Sequence, residues 1–316
     1  MSEAYLFQAL TEPDRLEVRD RDGNFFALFT YGAYTVTLAG PERTLFEREE
    51  TKGDVSVKHT IWVRTYPKPF TGELDTAWFE KALEANKQGV PDILAIAMQY
   101  IKGAPPICDD IGLQIAGDAE YGPKSEPGED GVRKEGADFN DYLKLRWNFE
   151  GEEESRPLDR EFYPLSLDCS GFIRMVWGYR HNFSGFGYTD NLPLSYKIQP
   201  ARSPIPIPRR ARWICESAPG IKVIPNNGTQ VSKSDFEKLR IGDLVFFDGD
   251  TRDTEKRKEK GVIDHVGIFI GLDRGKHRFI SSRKRINGPT LSDFHSPSLL
   301  DDNQYYAKAF RAARRF

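Results

Sequence analysis

Three cysteines and five histidines are the residues of this 316-residue chain best suited to nucleophilic and acid–base chemistry. The most informative window runs Leu167-Asp-Cys-Ser-Gly-Phe-Ile-Arg-Met-Val-Trp177. Cys169 stands where an extended approach turns into a helix that carries Phe172, Ile173, Val176 and Trp177 on its inner side. At such a position the free backbone N–H groups and the positive helix end stabilise a thiolate, and they suit a developing oxyanion equally. Ser170 and Gly171 are small enough for a substrate carbonyl to come close. An isolated cysteine at a helix start is more often a small buried hydrophobe, so the position alone decides nothing. A base is the second requirement. His265 follows Asp264 at the start of Val-Gly-Ile-Phe-Ile, where a polar ring at the rim of an apolar strand suits a rigid base. The competing reading is a structural hydrogen bond between loop and sheet. His59 reads as a surface residue, His181 and His295 fall in loops, and Cys108 and Cys215 read as ordinary thiols.

These side chains need elements to hold them. From about 24 to 70, β-branched and aromatic residues alternate with short polar turns, which predicts a small antiparallel unit. Gly40-Pro41 marks a turn in it, and Pro67 to Pro69 end it. The unit is either a sheet packed on the main domain or a separate module. A helix is expected at about 75 to 86. A second, apolar nearly all round and capped by Asp92, runs from Ile93 to Ile101. From 107 to 160 the glycine–proline pairs, the acidic run 150–154 and isolated aromatics predict long loops. Ser170 to Tyr179 is helical. Prolines at 193, 204, 206 and 208 break the stretch after it, leaving Ile205 and Ile207 extended on the surface of a core. Arg209 to Ser217 suits a short helix, and Ser234-Asp-Phe-Glu237 is a capping box. Leu244 to Phe247 and Val266 to Ile270 are strands, with the charged stretch 250–260 between them as a solvated hairpin extension. Arg278 to Ile280 begins a third strand, and Tyr305 to Phe310 supplies a last one. The order predicts an α+β fold: a small β-rich unit over 1–80, then helices on a mostly antiparallel sheet over 85–316.

Asp168-Cys-Ser-Gly-Phe172, Gly242-Asp-Leu-Val-Phe-Phe247 and Asp264-His-Val-Gly-Ile-Phe-Ile-Gly271 occur in that order. Together, over about 160 to 285, they resemble the NlpC/P60 family of papain-like cysteine peptidases. Asp92 to Pro106 resembles the helix and glycine turn that open such a domain, with a long insertion at about 107–160 before the nucleophile. The resemblance implies a papain-like core that cleaves peptidoglycan stem peptides, commonly after γ-D-glutamate. Cys169 would attack the carbonyl, His265 would relay the proton, and the helix N-terminus would hold the oxyanion. It also implies that Asp168 and Ser170 bind a free substrate amine, with Tyr121 the candidate for the tyrosine of that pocket. The third catalytic member is usually His, Asn or Gln. Here the matching position is Ser281, in Arg278-Phe-Ile-Ser-Ser282. His277 shares its strand face by period two, about 13 Å away along the strand, and becomes the orienter only if the strand bulges. Ser282 and residues of the insertion are further alternatives.

Charge and composition bound the rest. Lys plus Arg total 45 against 48 Asp plus Glu, a net charge of -3, which removes any compositional case for nucleic acid. A hydrophobic content of 39% excludes wholesale disorder. The cysteines are too few for a disulfide framework and match no zinc spacing, and no phosphate loop or His-Glu-x-x-His run occurs. No metal or cofactor is therefore expected. With no apolar run of membrane length and no basic-then-apolar start, the expectation is a cytoplasmic protein without stable membrane insertion, action at the cell envelope staying compatible. The expected partner is a peptidoglycan stem peptide or muropeptide. Arg283, Lys284 and Arg285 are placed to meet a carboxylate on it, whereas Arg311, Arg314 and Arg315 read as a solubilising end. Two other functions stay open: a catalytically weak or inactive binding module for peptides or cell-wall fragments, and a papain-like hydrolase or acyltransferase on another amide. If Cys169 forms an ion pair with His265, its thiol pKa should be depressed.

Overall fold

The computed structural model describes residues 5–124, 132–149, 163, 165–180, 192–249, 261–301 and 303–316. The acidic run 150–154, His181 and the charged stretch 250–260 lie outside the described residues. Five strands come first: β1 (Leu6–Leu10), β2 (Arg15–Arg19), β3 (Phe25–Thr30), β4 (Thr35–Glu47) and β5 (Val55–Thr65). They pair in sequence order as an antiparallel meander. The turn expected at Gly40-Pro41 is instead a bulge inside β4, where pairing with β5 slips between Ala39 and Arg43. Trp62 is the cause. Its indole lies over Gly40, where a Cβ would come within 2.3 Å of the ring. The indole N–H also donates to the Pro41 carbonyl at 3.1 Å. The strand bends there without ending.

Helix α1 (Thr76–Lys87), capped by Asp75, buries Trp78, Phe79, Ala82 and Leu83 against Phe29, Tyr66 and Phe70. Helix α2 (Ile93–Met98) is shorter than its apolar run. Its cap, Asp92, accepts from the Ala95 N–H at 2.9 Å, from Val63 N–H at 2.6 Å, and from two Arg43 nitrogens at 2.6 and 2.7 Å. Burial alone would raise this carboxyl, but the Arg43 charge and the donated bonds hold it below the usual carboxylate range. One side chain thereby ties β4, β5 and α2 together. The region expected as loops contains β6 (Ile107–Cys108), β7 (Gln114–Ala116) and the one-turn helix α3 (Phe139–Tyr142). Helix α4 (Cys169–Arg174) continues without a break into a π-helical turn, Met175–Tyr179. Ile207, expected to lie extended on a core, is fully buried in it, bridging to Leu194 and accepting at its carbonyl from Arg174 at 2.6 Å.

The remaining elements are α5 (Ala211–Ser217), β8 (Ile221–Ile224), β9 (Leu244–Phe247), β10 (His265–Asp273), β11 (Lys276–Arg283), β12 (Gly288–Thr290), α6 (Tyr305–Ala309) and β13 (Phe310–Arg315). The capping box shifts upstream: Ser232 caps a 3-10 turn over Lys233–Lys238. Strands β8 to β13 form a second, wholly antiparallel sheet in the order β12-β11-β10-β9-β13-β8. The fold is mixed α/β, with antiparallel sheets and few helices. Tyr305 to Ala309 is helical where a strand was expected, and the strand proper is β13. Because β13 runs between β9 and β8, Arg314 and Arg315 are buried, while Arg311 is partly exposed. Arg314 donates to the carbonyls of Cys215 and Ala218, while Arg315 grips both oxygens of Asp243 at 2.7 and 2.8 Å. Two of the three arginines of the expected solubilising end, Arg314 and Arg315, thus form a buried clamp.

The first sheet is a wall of the main core. Tyr34, Leu45, Val55, Val57 and Val63 pack with Ile268, Ile270 and the apolar faces of α2 and α4. Tyr34 and Thr35 N–H groups both donate to the Phe316 carbonyl. Among the described residues no helix is long and apolar enough to cross a membrane. His59, expected at the surface, is half-buried on β5, where its Nδ1 accepts from Ile61 N–H at 3.2 Å. Burial and the neighbouring Arg43 charge push its imidazole down to about 4. An unfolded histidine takes up its proton near 6.5. Between pH 6.5 and 4 the unfolded chain therefore binds more protons, and stability falls as the pH falls. Thermal unfolding should show a smaller loss of Tm over this window in H59Q than in wild type; equal losses would refute the assignment.

Candidate active site

The approach to the nucleophile is stitched on both sides. Leu167 N–H donates to the Glu120 carbonyl at 2.7 Å, and the Leu167 carbonyl accepts from Ser282 Oγ on β11 at 2.5 Å. Asp168 then caps α4, its extended backbone (φ -73, ψ -179) letting Oδ1 accept from Gly171 N–H at 2.8 Å. Gly171 has a different task from the one its size suggested. A Cβ there would meet the Ala137 carbonyl oxygen at 2.3 Å, so the glycine admits the segment before α3 and not a substrate. Cys169 is 5% exposed at the first helical position, with its sulfur 3.9 Å from the Asp264 carbonyl oxygen. Among the described residues, no carbonyl or carboxylate occupies the Cys169 and Ser170 N–H groups, the first two of the helix.

The other half of the site is the start of β10. His265 pairs with Phe247 on β9, and its ring lies between Phe247 and Tyr306, with centroids at 5.7 and 5.6 Å. Its Nε2 is 3.1 Å from Ser281 Oγ, and Ser281 is fully buried. Gly267 makes this approach possible: a Cβ there would come within 2.7 Å of the Ile280 carbonyl and 3.1 Å of Ser281 Cβ. Successive residues of β11 point to opposite faces, so Ser281 reaches His265 while Ser282 holds the Leu167 carbonyl. His277 is not the orienter. The β10–β11 register does slip, between Phe269 and Gly271, yet His277 stays opposite Leu272, bonded to Asp301 at 2.9 Å and packed on Phe236 and Phe269.

Burial works against the expected ion pair. Burial pushes the Cys169 thiol well up, and the Asp168 and Glu135 carboxylates push it further, with Arg209 and the Val266 N–H as partial offsets. Burial takes His265 down to about 3, helped by the Arg283 and Lys284 charges. Both shifts favour the neutral forms, thiol and imidazole. A helix end contributes at most about 2 kcal/mol, which a thiolate desolvated beside two carboxylates outweighs. Alkylation by iodoacetamide at pH 8 should therefore modify exposed Cys108 ahead of Cys169, whose rate should climb only above pH 9. A Cys169 midpoint below 8 would restore the ion pair.

Beside Cys169 lies a cavity of about 750 Å³ whose lining includes Tyr121, Glu135, Asp141, Asp168, Ser170 and Arg209. Tyr121 is buried there, its hydroxyl donating to Glu135 Oε1 at 3.0 Å, an oxygen that Lys284 also reaches at 2.6 Å. Asp168 is at the cavity but already satisfied. Its two oxygens take Arg209 at 2.6 and 3.1 Å, together with the N–H groups of Gly136 and Gly171. Ser170 Oγ likewise accepts from Arg209 at 2.7 Å and donates to Asp168 at 3.2 Å. These two side chains form a support beneath the nucleophile, so the expected open amine pocket on them is not present. Arg283 is also committed, to the carbonyls of Ser292 and Ser296 and to the face of Tyr306. No protein-family model, curated protein or solved structure matches this chain.

Arg209, Glu135, Asp141 and Tyr306 were not singled out from the sequence. A signal existed for the first. A cation at the N-terminal end of a predicted helix faces an unfavourable dipole, which marks it as serving another partner. Nothing local marks the other three, since the chain brings them to the site from distant segments.

Proposed function

We propose that this chain is a papain-like cysteine peptidase of NlpC/P60 type, hydrolysing an amide bond of peptidoglycan stem peptides after γ-D-glutamate. One observation carries the catalytic part: the Cys169 sulfur at the head of α4 lies against the backbone flanking His265, whose ring is held by Ser281. Because Nε2 is engaged with Ser281, Nδ1 is the nitrogen that takes the thiol proton. The neutral pair reacts by proton transfer in step with attack. The sulfur bonds to the carbonyl carbon, and the oxyanion is received by the Cys169 and Ser170 N–H groups. His265 then protonates the leaving amine. Water, deprotonated by the same ring, opens the thioester and regenerates the thiol. The substrate class rests on the three ordered motifs. Its test compares turnover of an L-Ala-γ-D-Glu-diamino-acid peptide with that of unrelated peptide and acyl amides. Preferential cleavage of the γ-D-glutamyl bond supports it, and equal or greater turnover of the others moves the protein to a different amide.

A second reading, a peptide-binding module with little catalysis, is favoured by the burial that keeps both reacting groups neutral. Stem-peptide binding by calorimetry, unaccompanied by cleavage in wild type, would select it.

A further inference from the structure

The wall of the cavity carries more negative than positive buried charge. Three buried carboxylates, Asp138, Asp141 and Asp168, line it with one buried guanidinium, Arg209, while buried Arg174 lies outside the lining. Asp138 takes Arg174 at 2.9 and 3.2 Å and lies 3.5 Å from Arg209. Asp168 takes Arg209 on both oxygens. Asp141 is left without an ion pair among the described residues, although it is only 8% exposed and lines the cavity. Its Oδ2 accepts from the Asp138 N–H at 2.8 Å in the α3 capping box. Its Oδ1 has no donor among the described residues. The other cations at the cavity, Arg210 and Arg212, are exposed, the former lying over Trp213. Of the two other acids at the cavity, Glu135 is paired with Lys284, and Asp264 is exposed and accepts from the Gly249 N–H.

A buried carboxylate normally has its charge matched by a cation or by several donors. Asp141 has one donor among the described residues, on Oδ2, and lines the cavity that also holds the nucleophile. Burial, the Asp138 charge and the Asp168 charge raise its carboxyl to about 6, against the Asp138 N–H and Arg209, so it is still ionised at neutral pH. We propose that Asp141 is the recognition point for a cationic group, a primary ammonium or a guanidinium, on the ligand that presents its carbonyl to Cys169. The proposal rests on the cysteine-nucleophile reading. It moves charge recognition from Asp168, which Arg209 occupies, to a residue of the inserted segment.

Two reagents of equal length test it: N-(4-aminobutyl)iodoacetamide, which is cationic, and N-pentyliodoacetamide, which is neutral. The readout is the rate of modification of the Cys169 peptide at pH 8 by mass spectrometry. Wild type should prefer the cationic reagent by about tenfold, equivalent to ~1.4 kcal/mol. The ratio should fall to near one in D141N and recover in D141E. A wild-type ratio near one, or a preference that survives D141N, overturns the proposal. If circular dichroism shows D141N unfolded, the wild-type ratio decides alone. Modification by the neutral reagent in H265A separates the two layers: a rate equal to wild type counts against the Cys169–His265 reading, while the charge ratio still reports on Asp141.

Discussion

Replacing His265 by alanine should lower kcat by about 10²–10⁴-fold, the range typical of general acid–base groups, with little change in KM. The expectation follows from the resting charges. With the Cys169 thiol raised by burial and by two carboxylates, the sulfur has no route to its nucleophilic form except proton transfer to the ring. The ring contributes nothing to the cavity lining, so ground-state binding should survive its loss. Ser281 gives the contrast. Its neutral hydrogen bond to Nε2 has a net value of about 0.5–1.5 kcal/mol, so S281A should cost about 2- to 13-fold in kcat. The acid limb of kcat should also sit well below pH 6.5, because His265 stays unprotonated, and able to accept the proton, until about 3. An H265A enzyme of undiminished kcat, or a thousandfold loss in S281A, would contradict the division of roles.

The second large effect is on stability. Arg209→Ala should destabilise the fold by about 3–5 kcal/mol, the usual result of leaving buried charge uncompensated. Arg209 bonds both oxygens of Asp168 and lies 3.5 Å from Asp138, which keeps Arg174 as its other cation. Asp168 is held below the usual carboxylate range against the pull of burial, chiefly by the Arg209 charge and hydrogen bonds. Without that cation Asp168 becomes costly, and it is also the cap of the nucleophile helix. The double variant R209A/D168N should recover part of the loss, since it removes the stranded charge while an amide oxygen can still cap Gly171. Urea unfolding measures both. A single-variant loss under about 1 kcal/mol, or a double variant no better than the single, would show that the pair carries little.

Much of the site's chemistry was legible because it is local. Cys169 at a helix start and His265 at a strand start are positions that a short window reveals, through apolar periodicity on one side and a polar residue at the boundary. Strand β9 was legible to the residue for the same reason. What the sequence hid was long-range pairing. Nothing near Arg315 indicates Asp243, and nothing near Asp168 indicates Arg209, so in the sequence these buried clamps look like a solubilising end and an open amine pocket. Gly40-Pro41 misled in a similar way. A glycine–proline pair ordinarily breaks a strand, but an indole from β5 filled the space above it and held the ladder together. The thiol's environment is hidden in the same way: a helix end is visible in sequence, whereas burial beside Asp168 and Glu135 is not.

The most direct measurement is a digest of purified muropeptides by wild-type protein and by C169A, resolved by mass. Wild type should convert them to two fragments whose masses sum to the parent plus one water, split at a single amide bond. C169A should leave them intact. The same fragments from C169A, or no fragments from either protein, would contradict the assignment of Cys169 as the nucleophile of a hydrolase.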